Sequence, residues 1–197
     1  MTDSILNGLM QQLQGGGIGE ISKTLGLKDD QVSNVVAGAL PALMGAFSRN
    51  AGSQSGANAL FGALAGKHDG SILGDLVGSL AGGKNADAGI LKHAFGGKQG
   101  AVEQALSAGS GVDMASVGKI MAMVAPLVLG ALGKTQRAKG LDTAGMAKMV
   151  HNEGRAAQKQ APQAMDMLSS LLDSDGDGSV MDDIGKLGSS LLGSFLK

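Results

Sequence analysis

Cysteine is missing from this chain, and of its 197 residues only four are aromatic, all of them phenylalanine. Without thiols there is no disulfide, no thiolate metal site and no cysteine nucleophile. Histidine is scarce too: His68, His93 and His151 are scattered, with neither metal-binding spacing nor an HExxH pattern. Proline occurs only three times and the net charge is only −1, which excludes a strong global field for nucleic acid. The amino terminus shows no charged stretch followed by a long apolar run, which argues against a secretory signal and for a cytoplasmic protein.

What the chain does have is small and aliphatic. Hydrophobic residues make up 43%, with 34 Gly and 11 Met. Such a core is built from Ala, Leu, Val, Ile and Met. The many glycines lower the intrinsic stability of each helix while letting helices approach closely. The expectation is an all-α protein whose helices form mainly because they pack.

Sliding the sequence against itself by 85 positions aligns "ISKTLGLKDDQVSNVVAGALPALMGAF" (21–47) with "LSAGSGVDMASVGKIMAMVAPLVLGAL" (106–132), with no gap. Ser22/Ser107, Gly26/Gly111, Val32/Val117, Ala37/Ala122, Pro41/Pro126, Gly45/Gly130 and Ala46/Ala131 are identical pairs. Each copy reads as a short helix, a glycine turn, and a longer apolar helix carrying a proline. Gly26 and Gly111 suit a left-handed helix C-terminus. Pro41 and Pro126 should kink their helices or mark restarts. "PALMGAF" and "PLVLGAL" are the expected buried centre.

The boundaries that follow are a first helical repeat at 1–66, a linker with a short helix at 67–88, a second repeat at 89–152, a polar linker at 153–162, and a C-terminal segment at 163–197. "SILNGLMQQL" (4–13) places Ile5, Leu6, Leu9, Met10 and Leu13 on one helical stripe, and "SILGDLVGSL" (71–80) reads similarly.

The helix-turn-helix spacing occurs twice, but geometry alone does not bind phosphate. The second helices would open with "KDDQVSN" and "DMASVGK", which lack the basic and amide set needed for groove reading and backbone neutralisation. Asp29 and Asp30 would repel phosphates. The uncharged run "IMAMVAPLVLGALG" (120–133) is 14 residues, short of the roughly 20 a membrane span needs. A buried core helix is the favoured reading.

The strongest chemical signal is "DSDGDGSVMDDI" (173–184). Counted from Asp173 as position one, Asp175 is third, Asp177 fifth, Gly178 sixth, Ser179 seventh and Val180 eighth. That is the front half of an EF-hand loop: three inward carboxylates, a sharp-turn glycine and a carbonyl ligand. Apolar residues recur at helical spacing on both sides, from Met165 to Leu172 and from Ile184 to Leu196. Position twelve, normally a bidentate Glu, is Ile184, so Asp182 or Asp183 must close a shortened loop. The expected ligands are Asp173, Asp175, Asp177, Ser179, Asp182 and Asp183. All-oxygen ligands call for a hard cation, Ca²⁺ first, with Mg²⁺ or Mn²⁺ behind it.

The stretch "GILKHAFGGKQGAVEQALSAGSGVDMASVGKIMAMVAPLVLGALGK" (89–134), followed by "LLDSDGDGSVMDDI" (171–184), resembles a bacterial family of unknown function, DUF937, which includes the YidB-like proteins. The resemblance covers most of residues 18–184 and implies an all-helical fold with homeodomain-like elements. It implies no activity.

The fold expected is therefore all-α: two degenerate helix-turn-helix-like repeats packed as a bundle, with a C-terminal EF-hand-like helix-loop-helix. No nucleophile elbow or paired-carboxylate cleft can be picked out, and "AFGGKQG" lacks the spacing of a phosphate loop. The functional expectation is a non-enzymatic calcium-binding protein that acts by self-association or by contact with a protein partner. The alternative is a DNA- or membrane-surface-associated helix-turn-helix-like module.

Overall fold

The computed structural model describes residues 4–160 of the chain. Among these residues every regular element is helical. The order is α1 (Ile5–Gln12), a wide turn at Leu13–Gly17, α2 (Ile18–Leu25), α3 (Asp29–Asn50), α4 (Gln54–Ala65), a 3₁₀ turn at Ser71–Asp75, α5 (Leu76–Leu80), α6 (Ala88–Phe95), α7 (Gln99–Ser110), α8 (Met114–Ala138) and α9 (Thr143–Gln160).

The two longest helices are the axis of the molecule. All of Pro41–Phe47 in α3 and all of Pro126–Leu132 in α8 are buried, so the two apolar motifs do occupy the centre. The helices pack on each other, and the rest gather around them: α7 on α3 and α8, α6 on α8, and α9 along α3 with a further contact to α4. One hydrophobic core runs through both halves of the chain, from Leu6, Leu9 and Leu13 to Met146, Val150 and Ala157. A buried Leu, Val or Ile contributes about 1.5–3 kcal/mol, against about 1 kcal/mol lost for each helical glycine. With Val32, Val35, Val36, Leu40, Leu43 and Met44 all buried in α3, packing outweighs propensity there.

Both glycine turns form as the spacing predicts. Gly26 ends α2 at φ 68° and Gly111 ends α7 at φ 68°, each with its N–H directed to the carbonyl of the matched serine, Ser22 or Ser107. The starts of the following helices differ. Asp113 caps α8 by accepting from the Ser116 N–H at 2.9 Å. Its counterpart Lys28 has no acceptor, so Gln31 reaches back and accepts from the Lys28 N–H at 3.2 Å.

Three expectations need correction. Neither proline marks a restart, because α3 runs unbroken from Asp29 to Asn50 and α8 from Met114 to Ala138. Proline removes the N–H that would have bonded the carbonyl four residues back. At Pro126 that carbonyl, on Ala122, is taken by the N–H of Asp87, at 2.9 Å, from the segment before α6. Second, "SILGDLVGSL" is not one amphipathic helix but a 3₁₀ turn followed by the five-residue α5, since Asp75 accepts from the Gly78 N–H and starts a new helix there. Third, residues 153–160 are not a polar connection: they are the second half of α9, with Gly154 and Ala157 buried. Over this half a small residue at each inward position lets the otherwise polar helix lie close to α3. A methyl group at Gly154 would come within 2.7 Å of the Ser48 side chain.

The membrane question also changes form. α8 is 25 residues long with mean hydropathy 1.8 over its most apolar window, so by length and composition it is a candidate span. The 14-residue uncharged run understated the helix because Lys119 and Lys134, which bracket it, both lie inside α8. Of that window, 78% is buried against the rest of the protein.

Candidate functional site

All six expected metal ligands, Asp173, Asp175, Asp177, Ser179, Asp182 and Asp183, lie outside the described residues, as does the expected EF-hand-like segment 163–197. Within the described residues no group of three or more His, Asp or Glu side chains comes together as a metal site.

The helices α3 and α8, expected as the second helices of helix-turn-helix-like units, are placed by the core. Twelve of the 22 residues of α3 and 16 of the 25 of α8 are buried, so these helices are enclosed by their neighbours over most of their length. Asp29 and Asp30 are exposed in the first turn of α3. A reading helix would need a basic first turn instead.

A shallow cleft of about 300 Å³ lies where the segment between α4 and α6 crosses α8, lined among others by Lys67, His68, Lys84, Asn85, Asp87 and Pro126. Gly130 and Gly133 let that segment approach. A methyl group at Gly133 would overlap the His68 carbonyl oxygen, and one at Gly130 would meet Ile72 at 2.6 Å. Burial pushes the His68 imidazole below its ordinary pKa of 6.5; the Asp87 charge opposes this and the Lys67 charge adds to it. Asp87 also holds the start of α6, accepting from the Gly89 N–H at 2.8 Å. No hydroxyl nucleophile lines the cleft; Asn85 donates to the Ser79 carbonyl within the segment, and the Asp87 N–H joins the segment to α8.

A second pairing, Ser48 Oγ with His151 Nδ1 at 3.4 Å, has the residue types of a nucleophile and its base. It lacks the third member: no carboxylate among the described residues bonds the His151 ring, so nothing orients that imidazole toward the hydroxyl.

The polar chemistry of the body is spent instead on helix ends reached from a distance. Glu153 on α9 accepts from both the Ser4 hydroxyl and the Ile5 N–H, each at 3.0 Å, and so caps α1 across 148 residues. Asn50 Nδ2 donates to the His93 carbonyl at 3.0 Å near the end of α6. Arg137 Nη2 donates to the Ala65 carbonyl at 2.9 Å at the end of α4, and its Nη1 lies 3.4 Å from Asp69. Sequence reading missed all of these, since an end group satisfied by a remote side chain leaves no local pattern. The only local hint was a lone acid, Glu153, in an otherwise basic helix.

Fold and site together define a class: an all-helical body whose two long, proline-bearing helices form its core, with no catalytic cluster among the described residues. The chain belongs to DUF937, described as a bacterial protein of unknown function, whose family model matches residues 7–135. The match ends just inside the last turn of α8, so α9 and the acidic stretch 173–183 lie beyond it. No curated protein and no solved structure matches the chain.

Proposed function

We propose that this protein is a non-enzymatic, cytoplasmic calcium-binding protein in which a rigid helical body carries a C-terminal cation loop that controls association. The observation that carries the reading is the spacing of Asp173, Asp175, Asp177, Gly178 and Ser179 between two apolar runs of helical period. An EF-hand-like helix-loop-helix gives those runs a reason to pair, and Ca²⁺ a reason to order them. The body supports the reading by its form: the aligned stretches 21–47 and 106–132 each run as a helix, a glycine turn and a long helix, and both pack into one core. Among the large apolar side chains of the body only Val77 and Met114 are exposed. Self-association therefore falls to the C-terminal segment, whose Leu187, Leu191, Leu192, Phe195 and Leu196 are apolar.

With Ile184 where a bidentate Glu belongs, the affinity belongs in the weak range, a Kd of roughly 10⁻⁴–10⁻³ M. Calorimetry on the full chain tests this. Ca²⁺ should release or absorb heat in that range, and Asp173→Ala with Asp177→Ala should abolish it. Light scattering on the same samples should show particle mass rising with Ca²⁺. A silent titration, or an unchanged titration in the double variant, overturns the proposal.

A further inference from the structure

We infer that the outward face of α9 is a docking surface for the chain's own acidic segment, residues 166–183. α9 divides its charges by sign. Its inward face is fixed by Met146, Val150, Gly154 and Ala157, all buried. Lys148, Arg155 and Lys159 lie on the exposed side. Its single acid, Glu153, is turned away to the start of α1, where it holds Ser4 and Ile5. Asp142, just before the helix, accepts from the Gly145 N–H at 2.7 Å.

Among the described residues these basic side chains have no acidic partner. The one ion pair among the described residues is Arg137 with Asp69. Among the described residues Arg155 donates to the neutral Asn152, at 2.8 Å, and Lys148 and Lys159 meet no carboxylate within ion-pair distance. A stripe of uniform sign on a packed helix is usually left to solvent. Here the complement is supplied by the same chain. Residues 160–185 contain six aspartates and no Lys or Arg. Both partners lie beyond residue 135, where the family match ends, so the stripe and its complement occur together outside the shared body.

Reach does not limit the contact. From Lys148 to Lys159 the helix rises about 17 Å at 1.5 Å per residue. Asp173 lies 13 residues beyond Gln160, a length that spans about 20 Å even if wholly helical and about 43 Å if extended. The loop therefore reaches any part of the stripe within one molecule.

One consequence rests on the proposed calcium reading. The carboxylates that would pair with Lys148, Arg155 and Lys159 are those that would hold the cation, so docking and Ca²⁺ compete. If the docked form holds 80–90% of molecules, removing the stripe tightens apparent Ca²⁺ binding by about five- to tenfold.

The absence of native cysteine makes the test direct. Nitroxide labels at Gln158→Cys and Ser174→Cys, in EDTA, should give a short distance population. It should shrink near 1 M NaCl, where the Debye length is about 3 Å, and in a Lys148→Gln, Arg155→Gln, Lys159→Gln variant. These positions are exposed, and circular dichroism checks that the variant keeps its helices. A charge swap, Lys159→Glu with Asp175→Lys, should restore part of the population. A distance distribution indifferent to salt and to the variant overturns the inference. So does a short population that vanishes on dilution with unlabelled chain, which would place the contact between copies. Calorimetry on the variant separates the two readings: no Ca²⁺ heat in any form removes the calcium proposal and leaves the docking result standing.

Discussion

At position 133 one methyl group decides a great deal. Gly133 lies where α8 passes under the His68 carbonyl, and an alanine there would collide with backbone rather than with a side chain that can move. Gly133→Ala should therefore destabilise the protein by about 1–3 kcal/mol. Gly62→Ala, in the exposed middle of α4 with nothing within 4 Å, should stabilise it by about 0.5–1 kcal/mol. Urea unfolding of the two variants checks both signs. His68 itself makes stability depend on pH. Burial lowers its pKa in the folded protein below the ordinary 6.5. The unfolded chain then binds more protons between the two values, so this contribution is complete above about 6.5 and is lost as pH falls through the lowered pKa. Urea midpoints from pH 7.5 to 5 should decline more steeply in the native protein than in His68→Gln. Asp69 and Asp113 add acid sensitivity lower down. Each is held below the usual carboxylate range chiefly by hydrogen bonds, to Ser71 and Ser116 respectively. Their contributions are present above the ordinary value near 3.8 and fade as pH drops through the lowered one.

Helices show most clearly which features a sequence can carry. The αL glycines at 26 and 111, and the buried runs after each proline, follow from local rules and were legible. The continuity of α8 through Pro126 was not, because its rescue comes from Asp87, 39 residues earlier and across the fold. The same limit hid the true extent of α9. Its inward residues are Gly and Ala as well as Met and Val, and a small-residue face gives almost no hydrophobic period. Of the candidate site, the acidic spacing was legible and its six residues fall outside the described part, so only the basic surface of the body bears on it. The crossing at Pro126 gives a test at this scale. Pro126→Ala restores an N–H that competes with Asp87 for the Ala122 carbonyl. Amide exchange at Asp87 should then quicken while the helical amides of α8 stay protected, as measured by hydrogen exchange with NMR detection. An unchanged Asp87 rate would mean the cross-chain bond does not hold the segment.

For the molecule as a whole, the question is whether α8 is a core helix or a membrane helix. Its hydropathy admits either, and its surroundings favour the core. Taking α8 into a bilayer would strip it from α1, α3, α6 and α7, and would expose Val35, Leu43 and Val102 to water. The purified protein should therefore stay at the bottom of a density gradient with neutral or anionic liposomes. Flotation would show that the core opens. The contact between Glu153 and the start of α1 has a different bearing, on synthesis. The cap for the first helix lies 148 residues after its first residue, Ile5, and ribosomes add about 5–20 residues per second. The first helix of a nascent chain thus waits roughly 7–30 s for its last hydrogen bonds, and the apolar side of Leu6, Leu9 and Leu13 stays incompletely covered until α8, which packs on it, is made. Birth order leaves that short leucine stripe as a part of the newborn protein that a chaperone would shield.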